Sequence, residues 1–312
     1  MDLVEKILQR DARSAARLMT MIENGAAEAI TALKALYPHT GKAFVIGVTG
    51  PPGSGKSTLT DGITEELRRL GKTVGIVAVD PTSPFTGGAI LADRIRMQRH
   101  SLDADVFIRS MATRGHLGGL ARATNDVVDV LDAAGKDYVL IETVGVGQDE
   151  VEVVRAAHTS IVVAVPGLGD DIQAIKAGIM EIGDLFVVNK ADRDGADRTA
   201  MEIEMMLHLG MATGGWQPKV LRTVAIKGEG VAELTRAILE HQAFLEKDAG
   251  HRQKGKERSR WVFRELLQER VTARVLEKVT ENGTLERLIE RIAAREMDPY
   301  SAVEEVLKKA GL

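Results

Sequence analysis

Gly50-Pro51-Pro52-Gly53-Ser54-Gly55-Lys56-Ser57 has the spacing of a phosphate-binding loop, with Thr58 carrying the chain on into a helix. The chemistry is local. Glycines let successive backbone N–H groups turn inward on a polyphosphate, and a helix that starts there points its positive end at the same charge. Lys56 can reach the β and γ phosphates, and the Ser57 hydroxyl can ligate Mg²⁺. An incidental glycine-rich turn with a chance lysine is the bland alternative. The flanks disfavour it: Ala43 to Thr49 is an apolar run of strand length, and Thr58 to Leu70 has a helical pattern.

Three further strand ends carry polar residues. Asn189-Lys190-Ala191-Asp192 follows the apolar run Leu185 to Val188. A carboxylate at Asp192 can accept both N1–H and N2–H of guanine, whereas adenine offers no matching donor pair. Asn189 can meet the base edge and brace the loop, and the Lys190 stem can stack on the ring. Ala225 and Ile226, after the last short strand, complete the nucleotide-binding set. A plain turn with an incidental Asp192 is the competing reading. Glu142-Thr143-Val144-Gly145 ends another strand. Glu142 can bind Mg²⁺ directly or through water, and the Gly145 N–H can hold the γ phosphate and release it on hydrolysis. Asp80 ends a third strand. Ser57, Asp80 and Glu142 thus form a hard-ligand Mg²⁺ set to be completed by phosphates and water, although Asp-Pro is also an ordinary turn starter.

Lys56, Asp93, Glu142 and Gly145 are the candidate catalytic residues. Which group orients the attacking water stays open. Val146 cannot, Gln148 lies two residues further on, and Asp93 can equally salt-bridge an arginine of its own helix. Slow intrinsic hydrolysis and a stimulating partner are the expectation. Thr82 to Gly88 and Gly167 to Asp171 are glycine-bearing loops able to move, or else fixed turns. His116 has no second histidine to suggest a metal site. Trp216 and Trp261 are read as packing residues.

The elements that position these residues alternate strand and helix from about Ala43 onward. Thr73 to Val79, Asp105 to Ile108, Tyr138 to Ile141, Ser160 to Val165, Leu185 to Val188 and Val220 to Val224 read as strands. Such alternation predicts an α/β fold of the P-loop NTPase type, with a mostly parallel central sheet covered on both faces. Ligands in such sheets lie beyond the C-terminal strand ends, where the polar residues fall. Helices flank the sheet segment on both sides. Residues 3 to 36 form two or three helices, one opening at Asp11 with Ala15, Leu18, Met19 and Ile22 inward. Arg109 to Gly119 is read as a glycine-rich loop, Leu120 to Ala134 as a helix, and Asp248 to Arg260 as a charged hinge or linker. Further helices begin at Trp261, Gly283 and Pro299. The expected division is residues 1–40 as a helical extension, 41–248 as the nucleotide domain and 249–312 as a second extension.

The chain has 312 residues, 44% of them hydrophobic, and a formal net charge of −4. That balance leaves no basic footprint for nucleic acid. The absence of cysteine excludes disulfides, thiolate metal sites and a cysteine nucleophile. No apolar run reaches membrane-spanning length, and the amphipathic start lacks the apolar core of a secretion signal. A soluble cytoplasmic protein is expected.

Together, Gly50 to Ser57, Asp80 to Gly88, Arg109 to Gly119, Glu142 to Gln148 and Asn189 to Asp192 resemble the MeaB/ArgK/MMAA group of P-loop GTPases, over essentially the whole chain. The resemblance implies a homodimer joined through its helical extensions, with GTP and GDP as substrate and product and no tightly bound cofactor of its own. It implies methylmalonyl-CoA mutase, or a related cobalamin-dependent mutase, as partner, and an adenosyltransferase as source of adenosylcobalamin. GTP hydrolysis would gate cofactor loading and protect or rescue the mutase. The family's first switch maps from Asp80 to Asp93, its second onto Glu142 to Gln148, and its third, which signals to the mutase, onto Gly167 to Met180 with Asp170, Asp171 and Lys176. Two alternatives stand beside this: a kinase of the type named for lysine/arginine/ornithine transport, and a non-catalytic nucleotide-gated scaffold.

Overall fold

The computed structural model describes residues 2–80, 98–100, 102–112, 119–143, 157–167, 183–210, 215–247, 250–280 and 283–311. Its centre is a seven-stranded sheet in the order β3-β2-β4-β1-β5-β6-β7. The strands are β1 (Phe44–Thr49), β2 (Val74–Asp80), β3 (Val106–Ala112), β4 (Tyr138–Thr143), β5 (Thr159–Ala164), β6 (Leu185–Asn189) and β7 (Lys219–Thr223). Every neighbouring pair runs parallel. A parallel sheet is covered on both faces, which is why its strands read as unbroken apolar runs. All residues of β1, β4, β5 and β6 are buried.

Ten α-helices are found among the described residues. Three precede the sheet: α1 (Leu3–Leu8), α2 (Ala12–Glu23) and α3 (Ala27–Leu36). Four cover it: α4 (Lys56–Arg69), α5 (Gly119–Ala133), α6 (Ala196–Gly210) and α7 (Val231–Lys247). Three follow: α8 (Gly250–Thr280), α9 (Thr284–Ala293) and α10 (Pro299–Ala310). On one face, Phe44, Ile46 and Val48 meet Leu59, Ile63 and Leu67 of α4 and Leu234 and Ile238 of α7. The four-residue spacing in α4 places its three leucine and isoleucine side chains on a single stripe. On the other face, Val162, Phe186 and Val188 pack against Ala196, Ala200 and Ile203 of α6.

The chain divides into two compact units, Met1–Gly255 and Lys256–Leu312. In the first, α2 is capped by Asp11, whose carboxylate accepts from the Ser14 N–H at 2.8 Å. It buries Ala15, Leu18, Met19 and Ile22, as its sequence predicts. Glu23 of α2 accepts from Arg109 Nε of β3 at 2.7 Å, which ties the helix to that edge strand. Asp132 of α5 then gathers the backbone N–H groups of Gly41, Lys42 and Ala43, at 2.6 to 3.3 Å, and so fixes the entry to β1. In the second unit Leu288 and Ala302 are buried, and Asp298 caps α10 through the Ser301 N–H at 3.0 Å.

Two expectations are corrected and one element is added. Residues 250–260 are helix rather than linker, because their lysines, arginines and glutamates are good helix formers that outweigh Gly250 and Gly255. Arg109–Ala112 extend β3 rather than opening a loop, each paired in register with β2 from Val77 to Asp80. Helix α6 is an element absent from the sequence reading, although Ala196, Ala200 and Ile203 carry a helical spacing.

Candidate functional site

Strand β1 ends at Thr49, and the chain then turns over the neighbouring strand β5. Gly50 sits at φ +143°, and a Cβ placed there would stand 2.2 Å from the Val163 carbonyl oxygen. Only glycine allows that approach. Gly55 at φ +93° opens α4 in the left-handed region. A Cβ there would meet the Asn189 amide at 2.4 Å. The two glycines therefore bring the loop against β5 and β6 at once.

Lys56 is buried, and its ammonium donates to the Gly50 and Pro51 carbonyls at 2.7 and 3.0 Å. The cation thus lies within the loop's curve, beside the α4 N-terminus, where polyphosphate charge is favoured. Ser57 Oγ donates to Glu142 Oε1 at 2.5 Å. Glu142 is buried at the end of β4, opposite Val48 of β1 and Ala78 of β2. That register puts Asp80, the last residue of β2, at the neighbouring strand end. The Ser57 hydroxyl and the Glu142 carboxylate therefore meet beside the phosphate loop, oxygen ligands that fit a hard cation such as Mg²⁺. Among the described residues no group of three or more His, Asp or Glu side chains is placed to hold a metal ion.

The side expected to meet the base is built from the turns after β6 and β7, and one side chain joins them. Asn189, almost fully buried, donates through Nδ2 to the Ser54 carbonyl at 2.8 Å. Its Oδ1 accepts from Thr223 Oγ1 at 3.0 Å and from the Ala225 N–H at 3.1 Å. Lys190 adopts φ +56°, and its ammonium donates to the Gly53 carbonyl at 2.6 Å. The Ala191 N–H donates to the Thr223 carbonyl at 3.0 Å. Asp192 is solvent-facing, with Oδ2 3.3 Å from Lys227 Nζ. Ile226 is 86% exposed, an apolar side chain at the tip of the second turn.

The structure thus gathers Gly50, Pro51, Pro52, Gly53, Ser54, Gly55, Lys56, Ser57 and Thr58 with Glu142, and gathers Asn189, Lys190, Asp192, Ala225 and Ile226 beside them. Asp93, Gly145, Asp170, Asp171 and Lys176 lie outside the described residues, as do His116, Gln148 and most of the loops expected to move. Sequence reasoning missed Thr223 and Lys227. Thr223 faces Asn189 across the β6–β7 register, a long-range pairing with no local signal. Lys227 stands next to the predicted Ile226 and could have been found by asking what faces Asp192.

The helix after the loop has a second tether. His100 Nε2 lies 3.2 Å from Asp61 Oδ1 of α4 and 3.3 Å from the Asp61 carbonyl oxygen. The hydrogen bond with Asp61 raises the imidazole's pKa, burial opposes it, and the charges of Asp61 and Asp103 add to the rise. Because the folded value is raised, the contribution to stability is fully present below about pH 6.5, the ordinary imidazole value. It is lost as pH rises through the folded value. Hydrogen bonds to charged groups are worth about 1.5–3 kcal/mol. Wild type should therefore exceed His100→Gln in chemical-denaturation stability at pH 6, and the gap should close towards pH 9. A gap that stays constant with pH would remove the charged pair as its source.

The chain is similar to known proteins over most of its length. The family described as methylmalonyl Co-A mutase-associated GTPase MeaB matches residues 15–280. A protein of Pyrococcus abyssi designated as a GTPase is 49% identical over 311 residues, covering 99% of this chain and 96% of that protein. GTPase ArgK of Escherichia coli is 38% identical over 78% of this chain and 76% of its own length. The crystal structure of a LAO/AO transport system kinase superposes with a TM-score of 0.74 at 26% identity, covering 99% and 97% of the two chains. Among the described residues, no helix is long and apolar enough to cross a membrane.

Proposed function

This chain belongs to the MeaB family of methylmalonyl-CoA mutase-associated GTPases, and on that premise we propose that it is a Mg²⁺-dependent GTPase serving methylmalonyl-CoA mutase or a related cobalamin-dependent mutase. It gates adenosylcobalamin loading from an adenosyltransferase and protects or reactivates the mutase. The observation that carries the nucleotide reading is Asn189, one buried amide at the end of β6, bonded to the phosphate loop and to the turn after β7. The mouse relative named methylmalonic aciduria type A homolog, 39% identical over 64% of this chain, supports the mutase link.

Lys56 neutralises the β and γ phosphates as charge develops on them, and the loop N–H groups hold them in line. Ser57, Asp80 and Glu142 hold the Mg²⁺. Bound there, the ion would supply positive charge against the phosphates. Asp192 accepts the two guanine donors, with the Lys190 stem and Ile226 bordering the base. Asp93 and the Gly145 N–H act at the γ phosphate, and Asp170, Asp171 and Lys176 signal to the mutase. Residues 249–312 carry the homodimer contact. In support, Phe263, Leu267 and Val271 expose an apolar line along α8, and Tyr300, Val303 and Leu307 another along α10.

The test is turnover. GTP, and not ATP, should be hydrolysed at below about 1 per second, rising at least roughly tenfold when the mutase is added. Asp192→Asn should lose about 10- to 100-fold in GTP affinity and gain on xanthosine triphosphate, whose N1–C2 edge suits an amide better. Binding to no mutase in any nucleotide state would overturn the partner assignment. The structural likeness to a protein named as a transport system kinase favours one second reading, phosphoryl transfer to another acceptor. Label appearing only in free phosphate would dismiss it.

A further inference from the structure

We propose that Lys227 is a specificity-positioning residue: it fixes the plane of the Asp192 carboxylate so that both oxygens meet a two-donor base edge. This deepens the guanine reading above and rests on it. Asp192 and Lys227 stand on different turns, after β6 and after β7. The bases of those turns are locked together by Asn189 Oδ1, which accepts from Thr223 Oγ1 and the Ala225 N–H, and by the Ala191 N–H on the Thr223 carbonyl. At the tips the described contact is Lys227 Nζ to Asp192 Oδ2 at 3.3 Å.

Both partners are about half exposed, 53% and 43% by side chain, and pairs of that kind add little to folding stability. Orientation is the use left to this one. Asp192 follows Lys190, whose φ of +56° turns the backbone outward, so the carboxylate projects from an exposed turn. An unheld carboxylate can swivel to follow a single N–H. It cannot swivel and still satisfy two parallel N–H groups, because a bidentate contact needs a fixed plane. The ammonium's charge stands on the Oδ2 side of the carboxylate, and an ionised carboxylate offers about four lone pairs, so acceptors remain for the base.

Guanosine and inosine diphosphates separate this effect from every other. They share the diphosphate and differ by the exocyclic amine, so the ratio of their affinities cancels phosphate binding. Calorimetry on the full chain should show Lys227→Met losing about five- to tenfold on GDP but only about twofold on IDP, with an unchanged melting temperature. Lys227→Arg should restore most of the ratio. Raising salt should draw the wild-type ratio towards that of Lys227→Met, because an exposed ion pair is screened. A GDP/IDP ratio unaltered in Lys227→Met, or equal losses on both, overturns the proposal. Asp192→Ala supplies the separate check. If it leaves the preference for GDP over ADP intact, the guanine reading itself fails. If it abolishes that preference while Lys227→Met leaves the GDP/IDP ratio untouched, only the role of Lys227 falls.

Discussion

Lys56→Ala should lower GTP turnover by roughly 100- to 1,000-fold, the usual loss when one preorganised donor to a developing phosphate charge is removed. The lysine is buried, and its ammonium is held by the Gly50 and Pro51 carbonyls. It is therefore held in the loop's curve, and little reorganisation is needed as charge builds. The same two bonds shape the loop, so alanine also loosens the backbone that cradles the phosphates. Lys56→Arg separates the two effects. It keeps the charge but replaces a compact ammonium with a planar fork that does not fit the same two carbonyls. Arginine should retain more nucleotide affinity than alanine while recovering little turnover. Steady-state phosphate release and nucleotide titration on both variants check this, and alanine turnover within tenfold of wild type would remove Lys56 from the chemistry.

Gly50→Ala should be as damaging by a different route. The added methyl group would stand 2.2 Å from the Val163 carbonyl oxygen, on a backbone at φ +143°. Neither side can yield readily. Val163 is fully buried in β5, which is hydrogen-bonded between β1 and β6. The cost should be about 3 kcal/mol or more, the sum of backbone strain and overpacking, with nucleotide binding lost because the loop must lift. Gly53 provides the control. Its φ is +73°, but an added methyl group there would have nothing within 4 Å, so alanine incurs only the left-handed penalty of about 1–2 kcal/mol. Urea unfolding of the two variants should separate them clearly, and equal losses would show that the contact with Val163 is not what demands glycine at residue 50.

Much of the site can be read from the chain because its signals are local. The run from Ala43 to Leu70 holds strand, glycine loop and helix within one stretch, and Asn189 to Asp192 follows its own strand directly. The inward face of α2 is equally plain, since four apolar residues repeat on one helical stripe. What stayed hidden depends on residues far apart. Thr223 braces Asn189 only because β7 lies beside β6 in one register. Arg109 reads as the start of a loop until β2 is placed next to it. The charged stretch 250–260 looks like a linker because solvated helices and linkers share the same polar residues. Its helix rests on backbone propensity and length, which hydrophobic pattern does not report.

Asn189 has a further consequence. One amide spans the two halves of the ligand cleft, so sugar-and-base at one end and phosphates at the other cannot be treated as independent tenants. A loop shift on losing a phosphate would pull on Ser54, and through that one side chain the pull would reach Thr223 and Ala225. On the guanine reading, the hold on the nucleobase would thereby be geared to the length of the phosphate chain.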